Sequence, residues 1–70
     1  MIVKVTIRAG ERQTERITND QAARDQQTLV NAGMVIARSN PFQTELLCKR
    51  TGNRTVFTNA AFLSPAEQPA

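Results

Sequence analysis

The sequence predicts an α+β fold: a small single domain of order β(β)αβββ, with a mostly antiparallel sheet and one helix packed on one face. Three observations predict it. Residues 2–8 alternate between apolar and polar, which is the period of a half-buried strand. Residues 17–33 open on a helix cap and close on a glycine stop. Residues 34–58 hold three short runs divided by Asn-Pro and Gly-Asn, the punctuation of an antiparallel meander.

In the first run Val3, Val5 and Ile7 fall on one side, and Ile2, Lys4, Thr6 and Arg8 on the other. Ala9-Gly10 then interrupts the pattern. Residues 11–17, ERQTERI, are almost wholly polar. They suit a returning edge strand, where charge discourages pairing with another chain. They suit an extended loop equally well.

Thr18 and Gln21 have capping-box spacing, so each side chain can satisfy a backbone N–H at the other's position. Ile17 before the cap can pack on Ala22 as a hydrophobic staple. Asp20 places a negative charge in the first turn, where the helix dipole favours it. Gly33 supplies the left-handed stop, with Leu29 and Met34 spaced to close it by an apolar contact. The helix is therefore predicted over 19–32. Its stripe of Ala22, Leu29 and Val30, with Ala23 at the margin, is thin and is broken by Gln26. Alanines allow close approach to a sheet but bury little area, which argues for one helix on a sheet rather than a bundle.

Residues 34–37 are all apolar and are predicted as a central strand buried on both faces. Pro41 ends that run. Residues 42–50 form the next strand, with Phe42, Leu46 and Cys48 on one face and Gln43, Glu45, Leu47 and Lys49 on the other. Gly52-Asn53 is predicted as a two-residue turn into a last strand over 54–58. Asn59 is expected to cap a helical turn over 60–63, letting Phe62 and Leu63 cover one end of the core. Residues 64–70 are polar and proline-bearing and are expected to be a disordered tail. The domain is thus placed at 1–63. The face without the helix is expected to lie open, carrying Ile2, Lys4, Arg8, Glu45, Leu47 and Lys49.

Seventy residues bury a modest core, and one cysteine allows no intramolecular disulfide. Homo-oligomerisation is one expected source of extra burial. No apolar run has the length of a membrane span, and the first eight residues are too short and too alternating for a secretory signal. A cytoplasmic location and no membrane partner are expected. The net charge of +3 is unevenly spread. Residues 34–63 hold Arg38, Lys49, Arg50 and Arg54 against Glu45 alone, which favours an anionic partner near the C-terminal hairpin.

The chain contains no histidine, so the commonest general base near neutral pH is missing. One Cys without His cannot build the usual zinc site. The three glycines stand too far apart for a phosphate loop. No enzymatic activity, metal or cofactor is expected. Cys48 is read as a small core residue without a thiolate-stabilising partner.

LVNAGMVIAR, followed by a hairpin and VFTNAAFL, resembles the recognition helix and wing of winged-helix DNA-binding domains. Leu29, Ala32, Gly33, Met34, Val35 and Arg38 carry the resemblance. It implies that Lys49, Arg50 and Arg54 sit at a wing tip near phosphates. The chain departs from that pattern in residues 1–16, which alternate as strand where two further helices are required. A nucleic-acid contact through Arg8, Arg12, Arg16, Arg50 and Arg54 without base readout is the alternative function. A self-assembling structural subunit is a second alternative.

The reading favoured by the residues is a non-enzymatic binding protein that occupies a partner's surface. In size and layout it is similar to small accessory or phage-encoded inhibitors. The expected partner-binding residues are Lys49, Arg50 and Arg54, then Lys4 and Arg8, pairing with an acidic protein surface or with nucleic acid. The polar edge at 11–17 is a further expected docking place, by strand addition.

Overall fold

A computed structural model of the chain describes residues 1–59. The elements are β1 (Ile2–Arg8), β2 (Glu11–Ile17), α1 (Asn19–Asn31), β3 (Val35–Ser39), β4 (Gln43–Leu47) and β5 (Arg54–Asn59). The five strands form one open sheet in the order β2-β1-β5-β4-β3, and every neighbouring pair is antiparallel. This is the expected small α+β domain. Residues 11–17 are a strand rather than a loop.

The β1–β2 hairpin explains that outcome. Ala9 (φ 49°) and Gly10 (φ 82°) both adopt positive φ, as a tight primed turn requires. The turn pairs Arg8 with Glu11 and carries the register through to Ile2 opposite Ile17. Ile17 therefore enters the helix on the same sheet face as Ile2. Both pack with Ala22, Leu46, Phe57, Leu29 and Met34 in one cluster, and this anchors α1 to that face.

The helix is capped at both ends. Thr18 Oγ1 accepts from the Gln21 backbone N–H at 3.1 Å. The Gln21 side chain turns forward to Asp25 at 2.7 Å, so only half of the expected capping box forms. At the other end Gly33 N–H donates to Val30 and Met34 N–H to Leu29, a Schellman closure around Gly33 at φ 99°.

Three expectations are corrected. The run after the helix is an edge strand, not a central one. All five β3 residues are exposed, Ile36 to 58%. β4 covers one side of β3, and no described strand covers the other. A continuous apolar run fits a doubly covered strand, but sequence alone does not say which neighbours arrive. Ala37 is a bulge between the Ile36–Leu46 and Arg38–Glu45 pairs, and bulges blunt exposed edges. Second, Phe42 lies outside β4 in the 40–42 turn and is 50% exposed rather than core. Asn40 Oδ1 accepts the N–H groups of Phe42 and Gln43 there.

Third, the β4–β5 connection is longer than a two-residue turn. Cys48 N–H donates to Asn53, and Gly52 N–H donates back to Cys48. Residues 49–52 form the loop, and only Gly52 in it takes positive φ. Asn59 is the last residue of β5, paired with Ile2. The expected turn at 60–63 and tail at 64–70 lie outside the described residues.

Candidate functional site

Strand register sorts the five expected partner-binding residues into two groups. Lys4 pairs with Phe57 and Glu15, which places it on the helix-covered face. Its Nζ donates to Asp25 Oδ2 at 3.0 Å and lies 3.8 Å from Glu15 Oε1. It also sits 5.8 Å from the Phe57 ring centroid, within cation–π range. Lys4 is thus a strut between sheet and helix. It is not on an open face and is withdrawn from the candidate site. A lysine stem covers apolar surface while its head finds charge, so a strand position with a basic residue can still face a helix.

The pairing acts on the Asp25 carboxyl. The hydrogen bond from Lys4 holds the Asp25 carboxyl below the usual carboxylate range, against the upward push of partial burial. The Gln21 hydrogen bond and the charges of Lys4 and Arg24 pull in the same direction as Lys4's hydrogen bond.

Arg8 shares the helix side of the sheet, contrary to the expected open face, because strand alternation ties it to Lys4. It remains exposed, at the end where β1 turns into β2. Arg54 pairs with Ile7 on β1, so it lies at the same end on the opposite face. Lys49 and Arg50 stand in the 49–52 loop just beyond Arg54 and are exposed. Arg12, which also pairs with Ile7, completes the group. Arg12 and Arg54 flank Ile7 at two strand spacings, about 10 Å apart. Two hairpins thus bring Arg8, Arg12, Lys49, Arg50 and Arg54 to one end of the sheet, with Glu11 as the neighbouring acid. Among the described residues the ion pairs are those of Lys4, so none of these five bases is neutralised.

Arg12 was not among the favoured site residues. Its signal was Ala9-Gly10: read as a two-residue turn rather than a break, it places Arg12 opposite Ile7.

Cys48 begins the loop and is half-buried. Hydrogen bonding from the Thr51 side chain, then from the Thr51 and Arg50 backbone, pulls its thiol below the usual range. The expectation that no group favours the thiolate is therefore corrected. The described residues hold no group of three His, Cys, Asp or Glu that could bind a metal ion, and no helix among them is long and apolar enough to cross a membrane.

Compared with known protein families, with characterised proteins and with solved structures, the chain matches none.

Proposed function

We propose that this chain is a non-enzymatic binding protein that docks its basic sheet end onto an acidic protein surface. The observation that supports the reading is the convergence of Arg8, Arg12, Lys49, Arg50 and Arg54 from two hairpins, none of them ion-paired among the described residues. Arginine suits such a contact because its planar fork makes paired hydrogen bonds to carboxylates. Charges left unpaired at a rim steer encounter and set orientation, and they discriminate against basic partners.

Nucleic acid is the competing anionic partner, and the aromatics weigh against it. Phe57 is buried under the helix, and Phe42 lies at the opposite end of the sheet from the bases. No aromatic among the described residues stands beside the arginines as a base-stacking platform. The helix N-terminus, where backbone amides could meet a phosphate, is also at the far end.

Self-association is favoured by one separate feature, the exposed apolar residues Val35 and Ile36 on the β3 edge. The Ala37 bulge opposes strand addition there.

Titration against random DNA and RNA at two salt concentrations, beside affinity capture from native lysate, tests the proposal. The expected result is negligible nucleic-acid binding and a protein partner lost on Arg50→Glu/Arg54→Glu. Salt-dependent nucleic-acid binding that weakens in the same variant would transfer the site to phosphates. Sedimentation at rising concentration reads the self-association alternative, with a monomer expected.

A further inference from the structure

The strand register sets a row of side chains across the whole width of the sheet. Arg12 on β2 pairs with Ile7 on β1, and Ile7 with Arg54 on β5. Arg54 pairs in turn with Leu47 on β4, and Leu47 with Val35 on β3. Directly paired residues of an antiparallel sheet share a face. Lys4 faces α1, and Ile7 alternates against it, so the row lies on the opposite face. The row is reachable from outside. Arg12, Arg54 and Val35 are exposed, and Ile7 and Leu47 are half-buried.

The charge of this row has one sign, whereas its neighbours are mixed. On the helix side of the same end, Arg8 stands opposite Glu11. On the Ile7 face, the next row inward holds Glu45 opposite Arg38. A partner laid along the Arg12 row from β2 to β3 meets base, apolar, base, apolar, apolar.

The spacing of the row selects the partner's conformation. Adjacent strands lie about 4.8 Å apart, so Arg12 and Arg54 are separated by about 10 Å with Ile7 midway, and the row spans about 19 Å. Same-face residues of an extended partner recur about every 6.8 Å, which fits neither distance. Helix residues three or four apart lie about 5–6 Å from each other on one face, and two helical turns cover about 11 Å. A helix with carboxylates about seven residues apart, an apolar residue between them and apolar residues on the next turns therefore matches every place in the row. A groove of about 430 Å³, lined in part by Ile7, Arg12, Val5 and Val56, adjoins the row and gives the apolar residue between the carboxylates a place to insert.

We infer that the basic end receives an acidic amphipathic helix of a partner protein, laid across the strands along Arg12, Ile7, Arg54, Leu47 and Val35. The inference rests on reading this end as a protein-docking surface, and it names the class of partner. Glu45 fixes the direction. It follows Leu47 on the same face of β4 and repels a carboxylate placed there. The partner's acidic half therefore lies over Arg12 and Arg54, and its apolar half over Leu47 and Val35.

NMR titration of the isotope-labelled full chain with synthetic peptides tests the inference. The first peptide, of about 18 residues so that it holds a helix, carries Glu and Leu in the order the row demands. The second has the same composition with both Glu moved to the opposite helix face. The third is the first with a central proline, which breaks the helix. The first should bind about tenfold more tightly than either other, with shifts concentrated at Ile7, Arg12, Leu47 and Arg54. Arg12→Ala should weaken it about threefold. Arg24→Ala removes the same charge from the exposed side of α1 and should leave the affinity within about twofold. Equal binding of the three peptides, lost on Arg50→Glu/Arg54→Glu, overturns the helix and leaves an acidic protein partner standing. Failure of all three to bind also overturns the helix, and affinity capture then decides the broader reading by itself. Tighter binding of random-sequence duplex DNA at the same salt overturns both. If a variant does not fold, the comparison of peptides on the unaltered chain still decides.

Discussion

Lys4 and the arginines of the β4–β5 hairpin look alike in the sequence and serve opposite ends in the structure. Lys4 is held by Asp25 and Glu15 between sheet and helix. Arg50 and Arg54 are exposed at the sheet end and make no ion pair among the described residues. In the first region charge is consumed by the fold. In the second it is left available. A basic residue thus marks a contact surface only when the fold does not already supply its counter-charge. Net charge cannot make that distinction, because it counts both kinds equally.

The sharpest way to separate the two regions is by stability. Leu46 is fully buried beneath the helix, beside Phe57 and Ala22. Leu46→Ala should cost about 2–5 kcal/mol, measured by urea denaturation, a large share of what so small a domain has. A cost near zero would mean that α1 does not pack on this face.

Asp25→Asn comes next. It leaves the half-buried Lys4 without its nearest counter-charge and should cost about 1–2 kcal/mol near neutral pH. The folded Asp25 titrates lower than the unfolded one, so its contribution is complete above the ordinary carboxylate pKa. That contribution is lost as pH falls through the depressed folded value. The cost of Asp25→Asn should therefore shrink on acidification, with the two melting points converging. Parallel curves down to the lowest pH would show that the Lys4–Asp25 pair contributes nothing to the fold.

A smaller effect of opposite sign is expected at the turn that sets the register. Ala9 holds φ 49°, a conformation that penalises a Cβ. Ala9→Asn places a residue suited to primed turns before Gly10 and should stabilise by about 0.5–1 kcal/mol. It should leave partner binding unchanged. The smallest stability effect belongs to the basic end. Arg50→Ala and Arg54→Ala should each stay within about 0.5 kcal/mol of the unaltered chain. A larger loss from either would show that these arginines, like Lys4, are engaged in the fold.

The legible parts of the sequence were those written in local rules. Thr18 and Gly33 bounded the helix, and the alternation in residues 2–8 marked β1. What escaped depended on which neighbours arrive from elsewhere in the chain. Val35 and Ile36 read as doubly buried, yet β3 ends the sheet. Phe42 read as core because it continues the alternation of β4, but Asn40 captures its backbone in a turn. Lys4 and Arg8 were placed on the open face because a helix is expected to cover the more apolar side of a strand. The structure covers the other side, since Ile17, stapled to Ile2 across the hairpin, fixes where α1 begins. Of the candidate site, Lys49, Arg50 and Arg54 were visible as a charge run. Arg12 needed the register that Ala9-Gly10 sets.

The most direct measurement is parallel affinity capture on three immobilised baits confirmed as folded: the unaltered chain, Lys4→Met, and Arg50→Glu/Arg54→Glu. Quantitative mass spectrometry of the retained proteins should find a partner held equally by the unaltered chain and Lys4→Met, and lost from the charge-reversed bait. Retention of that partner by Arg50→Glu/Arg54→Glu, or its loss from a folded Lys4→Met bait, would contradict the account.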